Sequence, residues 1–354
     1  MNDKNDNSDE GVRESVRDYY GNVLQSSEDL QTNACCVDGS VVDYHKPILG
    51  KVHDEVLSRF YGCGSPIPEG LKGMTVVDLG CGTGRDAYLC SALVGETGRV
   101  IGIDMTDEQL EVARRHVQFH ADAFGFSAPN TEFRKGVIED LSSAGIEDAS
   151  VDVVISNCVI NLAADKGEVF REILRVLKPG GELYFSDVFS DRRVPADLAA
   201  DPVLLGECLG GALYKEDFRR LMSDHGCFDV RTVSSRRLTI ENPELEAQVA
   251  PIEFYSETIR AFKLPLEDRC EDFGQTATYL GTLPHHEQEF VLDDHHVFRA
   301  GEAVAVCGNT AEMVSGSRFG AHFRVDGDQT THHGLFDCGP VCTPTEAPTS
   351  SGCC

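Results

Sequence analysis

Fifty-nine acidic against 31 basic residues leave this 354-residue chain with a formal charge of -28, which repels nucleic acid and anionic membrane surfaces and leaves small molecules as the expected partners. Its 41% hydrophobic content is ordinary for a globular protein that buries a sizeable core, and its length favours two domains over one. No stretch reaches the roughly 18 apolar residues of a membrane span, and "MNDKNDNSDE" has neither the basic start nor the apolar run of a secretion signal, so a cytoplasmic protein is expected.

Residues 1–50 read as a flexible N-terminal segment, polar at first and amphipathic from "VRESVRDYYGNVL" onward. Helical spacing of apolar residues predicts a helix over "VHDEVLSRFYG", 52–62. A regular alternation follows: strand "MTVVDLG" (74–80), helix "RDAYLCSALVG", strand "RVIGIDM" (99–105) and helix "DEQLEVARRHVQFHADAFGF". "TEFRKGVI", "VDVVISN" and "GELYFSDVF" supply three more strands, with helix "KGEVFREILRVL" between the last two. Apolar strands alternating with amphipathic helices predict a parallel sheet covered on both faces, a doubly wound α/β fold over 51–240. After about 240 the rhythm breaks into "IEFYSETIRAFKL", "EFVLDDHHVFRAGEAVAVCGN" and "RFGAHFRV", which predict a small β-rich C-terminal domain over 241–325. Residues 326–354, rich in Pro, Thr, Ser and Gly and carrying Cys338, Cys342, Cys353 and Cys354, read as a mobile tail whose thiols either capture a thiophilic ligand or merely stand exposed.

The stretch "VVDLGCGTGRD", 76–86, sets a glycine-rich turn between a strand and a helix, with Gly80, Gly82 and Gly84 allowing a sharp bend and close approach to a ligand. Two acidic residues sharpen this common pattern. Asp78 ends the first strand, and Asp104 closes the next one 24 residues after Gly80. In a Rossmann-like site the second carboxylate accepts from a ribose diol, which implies an adenosine-containing cofactor. A dinucleotide would want a third glycine where Arg85 stands, so NAD is disfavoured.

"DLGCGTG" resembles the first motif of class I S-adenosylmethionine-dependent methyltransferases, and "LKPGGELYFSDV" resembles their strand-five motif, over about 75–190. The resemblance implies that Asp78, Gly80, Cys81 and Gly82 form the cofactor loop, Gly80 and Gly82 lining the methionine moiety. It further implies that Asp104 takes the ribose hydroxyls, Met105 packs on adenine, Ile138 and Glu139 border the adenine amino group, and Asn157 serves the cofactor.

The 14 cysteines are many for a reducing compartment. Cys81 and Cys90 read as filling, and Cys227, Cys270 and Cys307 as small apolar residues without a role. Cys35 in "LQTNACC", Cys63 in "YGCG", Cys158 in "SNCVINL" and Cys208 in "GECLGGALY" stand in more telling contexts. None belongs to a C-x-x-C pair, so a zinc knuckle fits poorly. The histidine pairs 285–286, 295–296 and 332–333 do not predict a metal site, because neighbours in a strand point to opposite faces.

With "GIDMT" and "GGELYFSDV" added, these segments resemble the arsenite methyltransferases from about 17 to 240. That resemblance implies arsenite and methylarsenite as substrates and Cys158 and Cys208 as the thiols holding arsenic. Cys63 would be the third thiol near it, and Cys35 an N-terminal thiol forming a disulfide with Cys63. The adjoining Cys36 leaves the choice of N-terminal thiol open. Trivalent arsenic is soft and prefers thiolates, and its lone pair can attack a sulfonium methyl without a general base. Thioredoxin or glutathione would reset the thiols. A methyltransferase for a sterol- or quinone-like substrate, and a thiol protein that only sequesters arsenic, are the rival readings. A monomer is the default expectation.

Overall fold

The computed structural model describes Gly11 and residues 42–337 other than Tyr61, Cys63 and Glu241. Cys35, Cys36, Cys63 and the four tail cysteines therefore lie outside the described residues, as does the amphipathic stretch that begins near residue 12.

The central sheet has eight strands: β1 (Thr75–Leu79), β2 (Arg99–Asp104), β3 (Thr131–Lys135), β4 (Val151–Asn157), β5 (Leu177–Ser190), β6 (Leu213–Tyr214), β7 (Val230–Arg237) and β8 (Phe254–Phe262). Their order is β3-β2-β1-β4-β5-β8-β7, with β6 paired to β5. Alternate residues feed the two faces, as a period of two requires. Val76, Val100 and Val153 join the helices Arg85–Val94 and Asp107–Arg115 on one side, while Val77, Ile101 and Val154 join the helices Lys166–Val176 and Lys215–Asp224 on the other. The chain is thus a doubly wound α/β protein with a mixed sheet rather than a wholly parallel one.

The antiparallel part is the difference from the sequence reading. β8, expected in the C-terminal domain, lies between β5 and β7 and runs antiparallel to both. Its burial is nearly continuous from Phe254 to Phe262, which belongs to a strand covered on both faces rather than to a half-exposed one. Two helical expectations also change. The helix expected over 52–62 shrinks to Asp54–Leu57, and the loop after it is tied to the sheet instead, the Asn157 amide donating to Gly64 O at 3.0 Å. The long helix after β2 breaks at His116 into Asp107–Arg115 and Val117–Phe124.

Beyond β8 come β9 (Glu271–Asp272), β10 (Gln275–Tyr279), β11 (Glu289–Val291), β12 (Val297–Arg299), β13 (Ala303–Val306), β14 (Phe323–Asp326) and β15 (Gly334–Leu335). They form the expected small β-rich unit: a three-stranded sheet β13-β10-β14, a β11-β12 hairpin and the pair β15-β9. Tyr279, Phe290, Phe298, Phe319 and Phe323 fill its core under the helix Gly308–Ser315. β15 falls within the stretch read as a mobile tail. A polar composition does not prevent a short strand from pairing through its backbone alone, and here Gly334 and Leu335 pair with Asp272 and Glu271. A buried ionic hub links the unit to the central sheet. Arg260 pairs with Glu182 at 2.5 Å and Glu69 at 2.7 Å, and Arg318 pairs with Glu182. Among the described residues no helix is long and apolar enough to cross a membrane.

Candidate active site

The turn after β1 is shaped by its glycines. Gly80 has φ 68°, and a Cβ there would lie 2.3 Å from Val159 Cγ2. Gly82 has φ 52° with open space around it, so backbone conformation rather than crowding demands glycine. Asp104, at the end of β2, holds this turn: one carboxylate oxygen accepts from Gly82 N at 2.9 Å and the other from Thr106 N at 2.8 Å. Burial raises its pKa, opposed by those hydrogen bonds.

The turn opens into a cleft of about 1020 Å³, and all nine residues predicted to bind the cofactor line it, as does Cys158. Met105 and Ile138 are its apolar neighbours, while Asp78, Asp104 and Glu139 supply carboxylates. Asp78 is buried with Oδ2 lacking any hydrogen-bond partner among the described residues. Burial, and then the charges of Asp86 and Asp104, push its carboxyl well above the usual range. An orphaned buried carboxylate of this kind calls for a cationic ligand group. Asn157 lines the cleft too, but its amide is spent on Gly64 O and on Asp86 Oδ2 at 2.9 Å, which joins three segments around the opening. The sequence reading missed Phe60, Arg85 and Asp86. Arg85 pairs with Asp86 at 2.8 Å and lies 3.9 Å over the Phe60 ring, closing the cleft from the N-terminal side.

Cys158 lines this cleft, and Cys208 lies against Cys158. Cys158 follows β4 and Cys208 follows the helix Pro202–Gly206, and the Cys208 thiol donates to Cys158 O at 3.4 Å. Both sulfurs and a carboxylate oxygen of Asp187 lie within 4.8 Å of one another, all buried. Cys158 has φ 55° and Cys208 φ 62°, two of only four non-glycine residues with positive φ among the described residues. Such conformations cost about 1–3 kcal/mol each and gather at functional sites. Cys158 is itself disulfide-bonded.

Asp187 was not anticipated. It sits inside β5, where Val188 N donates to it at 2.8 Å and Asn161 N at 3.1 Å. Burial pushes its pKa up to about 7. The sequence signal was an acidic residue inside the apolar run "LYFSDVF", a placement that is costly without partners. Lys166 faces the same cluster: burial lowers its pKa, while Asp187, Glu139 and Cys208 pull it back up.

The remaining cysteines divide. Cys81 and Cys90 are buried with thiols pushed well above their usual range by burial, and Cys227 is raised to about 12 for the same reason, as filling residues should be. One further cluster, His53, Glu55 and His116, brings its ligand atoms within 4.8 Å. Glu55 is already engaged there by His116 at 2.7 Å and Arg115 at 2.9 Å.

Comparison with known proteins agrees with this layout. Residues 71–226 match a methyltransferase domain family, and residues 274–347 match the arsenite methyltransferase C-terminal domain. An arsenite methyltransferase of Aquipseudomonas alcaligenes is 49% identical, the match covering 97% of this chain and 100% of that one. The human arsenite methyltransferase is 44% identical over 90% of this chain and 84% of its own. The crystal structure of an arsenic(III) S-adenosylmethionine methyltransferase from Chlamydomonas reinhardtii superposes with a TM-score of 0.82 at 49% identity, covering 84% of this chain and 100% of that one.

Proposed function

The chain belongs to the arsenite methyltransferase family, and from that premise we propose that it methylates arsenite and methylarsenite, the arsenic being held between Cys158 and Cys208. The observation that carries this reading is the buried cluster of two sulfurs and the Asp187 carboxylate, whose Cys158 lines the cleft that also holds the predicted cofactor residues.

S-adenosylmethionine supplies an electrophilic methyl group on a sulfonium. The cleft suits it. The partnerless Asp78 oxygen answers its cationic end, the spare lone pairs of Asp104 answer the ribose diol, and Met105 and Ile138 offer apolar surface to the adenine. Thiolates suit soft trivalent arsenic where carboxylates do not. Its lone pair is the nucleophile, so the protein need not remove a proton during transfer. Its task is to hold the arsenic in line, a contribution for which effective molarities reach about 10⁵ M or more.

In this reading Cys63 is the third thiol, and Cys35 or its neighbour Cys36 the N-terminal one. Transfer of a methyl group formally oxidises arsenic from the trivalent to the pentavalent state. Two thiolates closing to a disulfide return the electron pair to it, and an external thiol, thioredoxin or glutathione, then reduces the disulfide. The disulfide at Cys158 supports that cycle, because the bond must be opened before this sulfur can take arsenic.

The test is methyl transfer from labelled S-adenosylmethionine to arsenite in the presence of a thiol reductant. The reading expects labelled methylarsenicals from the native enzyme and none from Cys158→Ser or Cys208→Ser. Transfer retained in both variants would contradict it, and arsenic binding without any transfer would favour sequestration.

A further inference from the structure

Cys270 and Cys307 have no part in the cluster just described, and from the sequence both read as small apolar residues without a role. The fold brings them together. Cys307 is the N-cap of the helix Gly308–Ser315 and is 1% exposed. Cys270, at the edge of β9, is half-buried, and the carbonyl of the next residue, Glu271 O, stands 3.7 Å from where a Cβ on Gly308 would lie, so the two cysteines flank one contact between β9 and the helix. Its backbone is fixed from the other side, Phe336 N donating to Cys270 O at 2.7 Å.

The surroundings of Cys307 favour a thiolate. Thr310 N donates to Sγ at 3.4 Å, and Thr310 Oγ1 lies 3.3 Å from it. That hydroxyl accepts from the Arg231 guanidinium at 3.3 Å, which leaves its own hydrogen for the sulfur. Arg231 in turn is clamped by Asp229, at 2.6 and 2.7 Å, and by Asp293 at 3.0 Å. The hydrogen bond from Cys270, and after it those from Thr310, hold the Cys307 thiol well below its usual range against the opposing effect of burial. Two donors of Thr310 converge on this sulfur at a helix N-terminus, the arrangement that stabilises thiolates.

We propose that Cys270 and Cys307 form a second, redox-active thiol pair that exchanges with small-molecule disulfides, Cys270 being the sulfur that is attacked and Cys307 the buried partner that resolves or leaves. On oxidation Cys270 loses its proton to solvent and attacks one sulfur of the external disulfide, expelling a thiolate and forming a mixed disulfide. The expelled thiolate takes up that proton from solvent, the Cys307 thiolate then attacks Cys270 Sγ, and the second external thiolate departs. One external disulfide is reduced to two thiols while the two cysteines become one disulfide. In reverse, an external thiolate attacks the outer Cys270, and Cys307 leaves as the stabilised thiolate. A leaving thiol of low pKa makes that step fast and the disulfide easily reduced.

The test equilibrates the reduced full-length protein with defined mixtures of reduced and oxidised glutathione, quenches it with acid, alkylates it and maps the cysteine peptides by mass spectrometry. The expected result is a linked Cys270–Cys307 peptide pair that grows with the oxidised fraction. In Cys307→Ser, glutathione attached to Cys270 should accumulate at least about tenfold above the native protein, because no partner resolves it. In Cys270→Ser, Cys307 should remain unmodified. Thr310→Val keeps both thiols and the backbone donor, and should slow reduction of the linked pair by dithiothreitol about threefold or more. Recovery of both cysteines unlinked under excess oxidised glutathione, glutathione on Cys307 rather than Cys270, or an unchanged reduction rate in Thr310→Val would overturn the proposal.

Discussion

Cys158 and Cys208 stand on left-handed backbone, with the Asp187 carboxylate as their neighbour. Cys270 and Cys307 stand on a strand edge and a helix N-cap, under a hydroxyl backed by a guanidinium. The first pair shares its space with a buried carboxyl group, and Cys158 lines the large cleft. In the second, the backbone N–H and the hydroxyl of Thr310 both face the Cys307 sulfur. Soft trivalent arsenic suits the first setting, because two sulfurs close together are the ligands it prefers. Donors that stabilise a thiolate suit exchange, because they favour departure of the sulfur. Residue type alone does not separate these two uses of cysteine, but the groups around each sulfur do.

Substitutions can break that contrast, and the largest effect falls on the first pair. Cys158→Ser and Cys208→Ser should each lower arsenite methylation by at least about a hundredfold with the donor bound as before, since positioning is what the thiolates contribute. Cys270→Ser, assayed with excess dithiothreitol, should stay within about twofold of the native rate. A large loss there would merge the two sites into one. Next comes Asp104→Ala, which should weaken S-adenosylmethionine binding about 10- to 100-fold, the worth of hydrogen bonds to a charged group. Calorimetry checks it, and exchange at Cys270 and Cys307 should not change.

Gly80→Ala tests the link between the glycine turn and Cys158. Its Cβ would push on Val159, the residue after Cys158, from a backbone of positive φ. The change should cost about 2 kcal/mol or more of stability, measured by denaturant unfolding. The smallest effect is one of pH. Folded Asp187 titrates near 7 because of burial, whereas in the unfolded chain an aspartate titrates near about 4. Between those values the native state holds the extra proton, so this residue's contribution to stability is full below about 4 and falls as pH rises to about 7. Asp187→Asn should flatten that part of a melting-temperature series, and Thr310→Val should leave it as it is.

That the residues predicted to bind the cofactor gather at one cleft was legible in the sequence because the signals are local. Gly80, Gly82 and Asp104 are set by a turn and by the end of the next strand, each readable within a few residues. Cys158 was visible for the same reason, as a thiol at a strand end. Asp187 was not, because its nearness to the two sulfurs depends on the pairing that sets Asn157 beside Ser186. Cys270 and Cys307 are 37 residues apart in the chain, and nothing local announces that β9 and the N-terminus of the helix Gly308–Ser315 meet. β8 was misplaced because a strand buried on both faces and an edge strand of a separate sheet begin with the same run of apolar and β-branched residues. Burial of its second face is supplied by partners far away in sequence.

The central claim is that Cys158 and Cys208 bind one arsenic atom between them, and arsenic K-edge X-ray absorption of the reduced enzyme with one equivalent of arsenite tests it most directly. The account predicts an all-sulfur shell around arsenic in the native protein and in Cys270→Ser, with oxygen replacing sulfur in Cys158→Ser and in Cys208→Ser. An unchanged all-sulfur shell in both of the latter variants would contradict it.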